Sequence, residues 1–200
     1  MINTIISDIG GVVMNLTGIN NFIEDIIKYG DRNLDNNKIN EVIRLLDTYE
    51  RGKIKSSKFY DEIKRIFRLE RLSFSEFSEK FCNIFSPNRK VLDLYSTLKD
   101  KFTLFYLSNT CEMHVDYLDR KYGLFNLFDG GVFSYKVGYR KPENEVYSIL
   151  LDKTRKSPKE CIFIDDIKEN IEAAEKFGIK SILYTKDTDL EKELNNIIVT

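Results

Sequence analysis

The stretch TIISDIGGVV, residues 4–13, begins with an uncharged, mainly β-branched run and then reaches an aspartate. Such a run is typical of a strand that is buried on both faces of a parallel sheet. Residues 102–107, 161–164 and 181–184 have the same character. From about Val91 onward, segments with helical periodicity separate these runs. We therefore predict an α/β fold, with a Rossmann-like parallel sheet and helices on both faces.

Residues 19–85 show a different pattern, with helical periodicity and no convincing strand. Four apolar stripes occur there, and each predicts an amphipathic helix whose apolar face packs in a core. The stripes begin at Phe22, Ile39, Phe59 and Phe74. Ser73 followed by Glu76 is a capping-box signature at the start of the fourth helix.

These stripes predict a small helical bundle inserted after the first strand. We expect this cap to span residues 16–87, within a core formed by residues 1–15 and 88–200. Residues 29–40, which are rich in Asn and Asp, are predicted to form a loop inside the bundle.

Composition excludes several classes of protein. The 200 residues carry a formal net charge of -1 and are 42% hydrophobic, which argues against a basic nucleic-acid-binding surface and against disorder. No apolar run approaches the roughly 20 residues that a membrane span needs. Three widely spaced cysteines and the absence of a signal-like N-terminus predict a cytoplasmic protein without a disulfide framework.

Polar residues follow three of the predicted strands. Asp8 follows the first and Ser108 the second, and the pair Asp165 and Asp166 follows the third. Lys141 precedes the third strand, just before a predicted helix. In open α/β sheets, ligands bind beyond the carboxyl ends of the strands, so we expect these side chains to meet at one site.

This grouping suits phosphoryl chemistry. Neighbouring carboxylates raise one another's pKa, and hard oxygen ligands of this kind suit Mg²⁺. The Ser108 hydroxyl and the backbone N–H groups after Gly10 are donors for a phosphoryl oxygen. A carboxylate can also attack phosphorus as a nucleophile.

Four segments, in this order along the chain, resemble the motifs of the haloacid dehalogenase superfamily. They are IISDIGGVV at 5–13, LFYLSNT at 104–110, GYRKPE at 138–143 and IFIDDIKENIEAA at 162–174. Residues 49–54 look like the cap of the members with a helical insertion after the first strand. The resemblance covers essentially the whole chain and extends to bacterial sugar-phosphate phosphatases of that subgroup.

The resemblance implies a metal site. Asp8 would be the nucleophile and a ligand of Mg²⁺, and the Gly10 carbonyl would be a second protein ligand. Asp166 would bind the metal directly, and Asp165 directly or through water.

The resemblance also implies a phosphate site. Lys141 would hold the phosphoryl group and orient Asp8. The other phosphate-binding residues would be Ser108, Asn109 and Gly11.

One position departs from the family pattern. The family has a second aspartate two residues after the nucleophile, which protonates the leaving oxygen and later activates water. Here that position is Gly10, and general acid–base help is typically worth about 10²–10⁴-fold. His114 is the only histidine, and an imidazole suits the missing role, so we consider it a candidate beside a plain packing role.

Two cap residues are candidates for substrate specificity. Arg51 and Lys53 lie in a charged segment and are expected to face the substrate across the cleft. The bland alternative is a solvated cap surface.

The sequence therefore predicts a Mg²⁺-dependent phosphatase that hydrolyses a small phosphorylated metabolite through an aspartyl phosphate. We expect a monomer or weak dimer. A module that binds phosphate or a phosphometabolite without turnover is the alternative, motivated by Gly10. A 2-haloacid dehalogenase is a further alternative, but two uncompensated acids beside Asp8 argue against it.

Overall fold

The computed structural model describes residues 1–31 and 35–198. Its strands are β1 (Thr4–Ser7), β2 (Met14–Leu16), β3 (Phe85–Pro87), β4 (Thr103–Ser108), β5 (Gly130–Phe133), β6 (Cys161–Asp165) and β7 (Lys180–Leu183). Five of them form one sheet of order β5-β4-β1-β6-β7, in which all neighbours are parallel. The strands β2 and β3 pair separately as an antiparallel ribbon.

Both faces of the sheet are covered. Ile5 and Ile6 of β1 are fully buried, yet Ile5 belongs to one hydrophobic cluster and Ile6 to another. Neighbouring residues of a strand point to opposite faces, so the two clusters lie on the two sides of the sheet. This explains why the strand sequences are continuously apolar, and it confirms the predicted α/β class.

Six helices of the described chain belong to this core. They are α5 (Arg89–Leu98), α6 (Glu112–Tyr122), α7 (Ser134–Val137), α8 (Asn144–Thr154), α9 (Lys168–Lys176) and α10 (Leu190–Ile198). Tyr147 of α8 and Ile171 of α9 share the cluster of Ile6, whereas Tyr95 of α5 and Leu190 of α10 share the cluster of Ile5.

Four further helices lie between the two strands of the ribbon. They are α1 (Ile19–Ile26), α2 (Asn36–Glu50), α3 (Ser56–Phe67) and α4 (Phe74–Cys82). Aromatic rings hold them together: Phe22 lies 5.0 Å from Phe81, and Tyr49 lies 4.6 Å from Phe59, between ring centroids. The four predicted stripes are thus confirmed as helices. The predicted boundaries at 15/16 and 87/88 fall within the ribbon and at its end, and the division into domains stays a prediction.

Local signals account for where some elements begin. The Ser73–Glu76 capping box at the start of α4 is present. Asp35 caps α2, because its carboxylate accepts from the Lys38 N–H at 2.9 Å. As a result, α2 begins at Asn36, so the predicted loop over 29–40 was too long; residues 32–34 of it lie outside the described residues.

The state of the cysteines and the character of the helices can be read from the structure. Cys82, Cys111 and Cys161 are all buried and free. None of the helices in the described ranges combines the length and the apolar composition that crossing a bilayer requires.

Candidate active site

The carboxyl ends of two adjacent strands, β1 and β6, bring the acidic residues together. Asp8 directly follows β1, Asp165 ends β6, and Asp166 comes next. Each of the three offers a carboxylate oxygen within 4.8 Å of the others. Ser108 ends β4, which lies on the other side of β1 and pairs with it in parallel. The predicted convergence of strand ends is therefore present.

Lys141 lies buried among these acids. Its Nζ is 2.9 Å from Asp8 Oδ2 and 2.6 Å from Asp165 Oδ2, and only 1% of its side chain is exposed. A buried ammonium is tolerated because two carboxylates neutralise it and accept its hydrogen bonds.

Burial and neighbouring charges shift the pKa values of the groups in this site. Burial alone lowers the pKa of Lys141, but Asp8 and Asp165 outweigh it and raise that pKa overall. Burial raises the pKa of Asp8 to about 7, although the charge of Lys141 opposes this. Burial and the charge of Asp165 also raise the pKa of Asp166. Three clustered carboxylates with one ammonium fit a divalent cation with oxygen ligands.

Asp165 has both carboxylate oxygens occupied by protein donors. Oδ1 accepts from the Ile167 backbone N–H and from Asn170 Nδ2, both at 2.9 Å, while Oδ2 accepts from Lys141. Asn170 is itself buried. Asn170 lies within the fourth motif, but the sequence alone predicts no role for it. Its contact with Asp165 Oδ1 helps to orient that carboxylate.

Asn109 holds the Lys141 segment. Its Nδ2 donates to the Lys141 carbonyl at 2.9 Å, and its Oδ1 accepts from the Lys141 N–H at 2.8 Å. The predicted phosphate-binding role of Asn109 stays a prediction, and its side chain is engaged with the Lys141 backbone. The paired amide hydrogen bonds fix the backbone on which Lys141 sits.

The backbone of Gly11 is part of the turn after β1, and its phosphate-binding role stays a prediction. Its N–H donates to the Met14 carbonyl at 2.8 Å, so it is engaged within the turn after β1. Its φ is +83°, and a Cβ there would lie 2.1 Å from Asp166 Oδ2. Glycine is required because the backbone adopts a left-handed conformation and Asp166 approaches it closely.

His114 lies in packing between the cap and the core. Its ring is stacked 4.3 Å from the Phe81 ring and lies 4.9 Å from Phe85, between centroids, and Nε2 is 3.3 Å from the Phe81 carbonyl. Burial lowers its pKa to about 4. The structure does not bring His114 to the carboxylate cluster, so the proposed acid–base role is not supported, and the packing role describes it.

The two cap candidates differ in their contacts. Arg51 makes a bidentate ion pair with Glu143, and both residues line the same surface groove as Lys53. Lys53 lines a surface groove of about 550 Å³ with Tyr139 and Glu145. The sequence alone predicts no role for Glu143, because residues 51 and 143 come together only in the folded chain.

The parallel sheet, the inserted helical cap and the acidic, lysine-containing site at the strand ends together describe a capped hydrolase with an α/β core. The chain belongs to the haloacid dehalogenase-like hydrolase family, whose model matches residues 2–178. A D-ribitol-5-phosphate phosphatase of Bacteroides thetaiotaomicron is 23% identical over 99% of both chains. A sesquiterpene phosphatase of Aspergillus oryzae is 26% identical over 76% of this chain and 78% of its own.

Solved structures share the fold. A family enzyme from Bacteroides thetaiotaomicron, crystallised with magnesium and inorganic phosphate, matches with a TM-score of 0.85 at 24% identity. The match covers 96% of this chain and 99% of that one. A family hydrolase from Porphyromonas gingivalis matches with a TM-score of 0.84 at 22% identity.

The two adjacent glycines predict a contrast in metal affinity. We expect Gly11→Ala to weaken Mg²⁺ binding at least about tenfold, because the new Cβ displaces Asp166, and metal sites depend on such placement. Gly10→Ala is the matched control: its Cβ would meet only the end of the flexible Leu16 side chain, at 2.9 Å. Isothermal titration with Mg²⁺ checks this, and equal affinities in the two variants would contradict it.

Stability should depend on His114 at acid pH. The folded-state pKa of about 4 lies below the ordinary value of 6.5, so the unfolded chain binds the proton more readily between these values. The contribution of His114 to the free energy of unfolding is thus fully present above pH 6.5. It is lost as the pH falls toward 4, which lowers that free energy by up to about 3 kcal/mol.

The measurement is urea unfolding at several pH values, with His114→Phe as the comparison. The difference between the two proteins should change across pH 6.5 to 4 and stay constant above pH 7. A constant difference over the whole range would refute the burial argument.

Proposed function

We propose that this protein is a Mg²⁺-dependent phosphatase that hydrolyses a small phosphorylated metabolite, such as a sugar phosphate, through an aspartyl phosphate. The observation that carries the proposal is the buried Lys141, which contacts Asp8 and Asp165 at the ends of two adjacent strands. The similarity to a relative that is a D-ribitol-5-phosphate phosphatase supports it. We further propose a cytoplasmic protein that works as a monomer or weak dimer.

Asp8 is the proposed nucleophile. Its Oδ1 accepts from the Ile9 N–H at 2.6 Å and its Oδ2 contacts Lys141, so the carboxylate is held in one orientation. An Asp8 oxygen forms a bond to phosphorus while the bond from phosphorus to the ester oxygen breaks, and the leaving oxygen takes up a proton. Water then attacks the aspartyl phosphate, which restores Asp8 and releases phosphate.

The other residues hold the reacting groups. Lys141 offsets the charge of the phosphoryl group, and the Ser108 hydroxyl donates a hydrogen bond to it. Asp8, Asp166 and the Gly10 carbonyl would hold Mg²⁺, which when bound offsets the repulsion between the nucleophile and the phosphate. We assign Asp165 mainly to Lys141, because its oxygens already accept three hydrogen bonds.

Proton supply to the leaving group sets the limit on turnover. Gly10 carries no acid, and His114 is engaged in packing. An aryl phosphate needs little proton donation because its leaving oxygen is a weak base, whereas an alkyl phosphate needs much. This favours fast hydrolysis of activated esters over alkyl esters. The same observation motivates the second candidate, a module that captures phosphate or a phosphometabolite with slow or no turnover.

Steady-state phosphate release with Mg²⁺ tests the proposal. We expect turnover of an aryl phosphate, slower turnover of an alkyl sugar phosphate, and loss of both in Asp8→Asn, because the amide cannot attack phosphorus. Unchanged release in Asp8→Asn would overturn the mechanism. Binding of Mg²⁺ and phosphate without any turnover in the wild-type protein would favour the binding module.

Restoring an acid at position 10 should help alkyl esters most. The backbone at Gly10 is outside the left-handed region, and a Cβ added there requires only the flexible Leu16 side chain to shift. We expect Gly10→Asp to raise alkyl phosphate turnover about tenfold or more and aryl turnover much less. Gly10→Ala is the control. An equal effect on both esters would contradict the role of the missing acid.

A further inference from the structure

A bidentate ion pair joins the cap to the segment that carries Lys141. Arg51, directly after α2, places Nη1 2.9 Å from Glu143 Oε2 and Nη2 2.7 Å from Glu143 Oε1. Its Nε also donates to Asp47 Oδ2 at 3.0 Å, so the guanidinium is fixed by its own helix. Glu143 lies two residues after Lys141, and the fork geometry makes this contact directional.

A second arginine completes the connection from the other side of Lys141. Arg140 Nη1 lies 2.6 Å from Asp47 Oδ1, and Arg140 Nη2 lies 3.0 Å from Glu50 Oε2. The Arg140 backbone N–H donates to Glu143 Oε2 at 3.1 Å. Residues immediately before and shortly after Lys141 are therefore both held by the end of α2.

On the core side, Asn109 holds the 140–143 segment at Lys141. Asn109 clamps the Lys141 backbone through two hydrogen bonds. The cap contacts then fix the direction in which the segment leaves this clamp. Lys141 reaches Asp8 and Asp165 at 2.9 and 2.6 Å, so the position of its backbone helps to set both contacts.

The partial exposure of Arg51 and Glu143 indicates that their ion pair orients the segment more than it stabilises the fold. The side chains of Arg51 and Glu143 are 18% and 33% exposed, and ion pairs with this much solvent contribute little to folding. A planar, bidentate contact nevertheless restricts orientation, which a single Lys–Glu pair does not. We expect loss of this ion pair to change the position of Lys141 more than it changes the unfolding temperature.

We propose that Arg51 and Glu143 are positioning residues, which couple the docking of the cap to the placement of Lys141 in the site. When α2 is docked, the pair holds the 140–143 segment so that Lys141 stays buried between Asp8 and Asp165. When the contact is lost, Lys141 becomes accessible and no longer supports the phosphoryl group. The kinetic part of this inference rests on the proposed phosphatase function, whereas the placement of Lys141 does not.

The experiment compares Arg51→Gln, Glu143→Gln and the double variant with Arg65→Gln. Arg65 is a matched control, since it pairs with Glu41 and Glu62 inside the cap and, among residues 1–31 and 35–198, has no ion pair to the core. The first readout is the rate at which an amine-reactive ester acylates Lys141 in the folded protein. Mass spectrometry measures the extent of acylation. The second is kcat and KM for an aryl phosphate with Mg²⁺.

We expect Lys141 acylation to rise at least about fivefold in Arg51→Gln and Glu143→Gln, with an unchanged thermal midpoint, because the segment opens locally. We expect kcat to fall at least about tenfold, since small misplacements of a catalytic group are costly. The double variant should be no worse than either single one. Arg51→Lys, which keeps the charge and loses the fork, should recover only part of the activity.

Acylation and kcat within twofold of the Arg65→Gln values would overturn the inference, and so would fully additive effects in the double variant. If a single variant unfolds, Arg51→Lys carries the same acylation test. Absence of activity in the wild-type protein would refute the proposed function alone, because the acylation rates still decide whether the pair positions Lys141.

Discussion

The placement of one buried ammonium group between two carboxylates is the constraint on which the site depends. Lys141 Nζ contacts Asp8 and Asp165, and all three side chains are almost removed from solvent. Charges at this depth are stable only when they are paired and hydrogen-bonded. The contact joins the ends of β1 and β6 to the segment before α8, so three distant parts of the chain are fixed at one point.

The surroundings of this contact are arranged to keep it in place. Asn170 and the Ile167 backbone orient Asp165, and Asn109 holds the backbone of Lys141. Asp166, the more exposed acid, lies beside Gly11. The polar edge of the sheet thus carries the chemistry, whereas the two apolar clusters on its faces supply the stability that allows charged groups to be buried there.

The cap contributes in two different ways. Its aromatic core holds α1 to α4 together, and His114 of the core helix α6 inserts its ring against Phe81 as part of that packing. The end of α2 instead makes polar contacts with the 140–143 segment. Apolar packing fixes where the cap sits, and the ion pairs relate that position to the site.

The sheet, the four helices of the cap and the strand ends that bear the candidate site can be predicted from the sequence. Strands such as β1 and β6 are readable because burial on both faces demands an unbroken apolar run, and parallel strands bring Asp8, Ser108 and Asp165 to one edge. The strand β5, with two glycines, and the three-residue ribbon carry too weak a pattern to be recognised. The contacts of Asn109, His114 and Arg51 become visible only in the folded structure, because hydrogen bonds to residues distant in the chain occupy their polar atoms. The need for glycine at position 11 likewise follows from the close approach of Asp166.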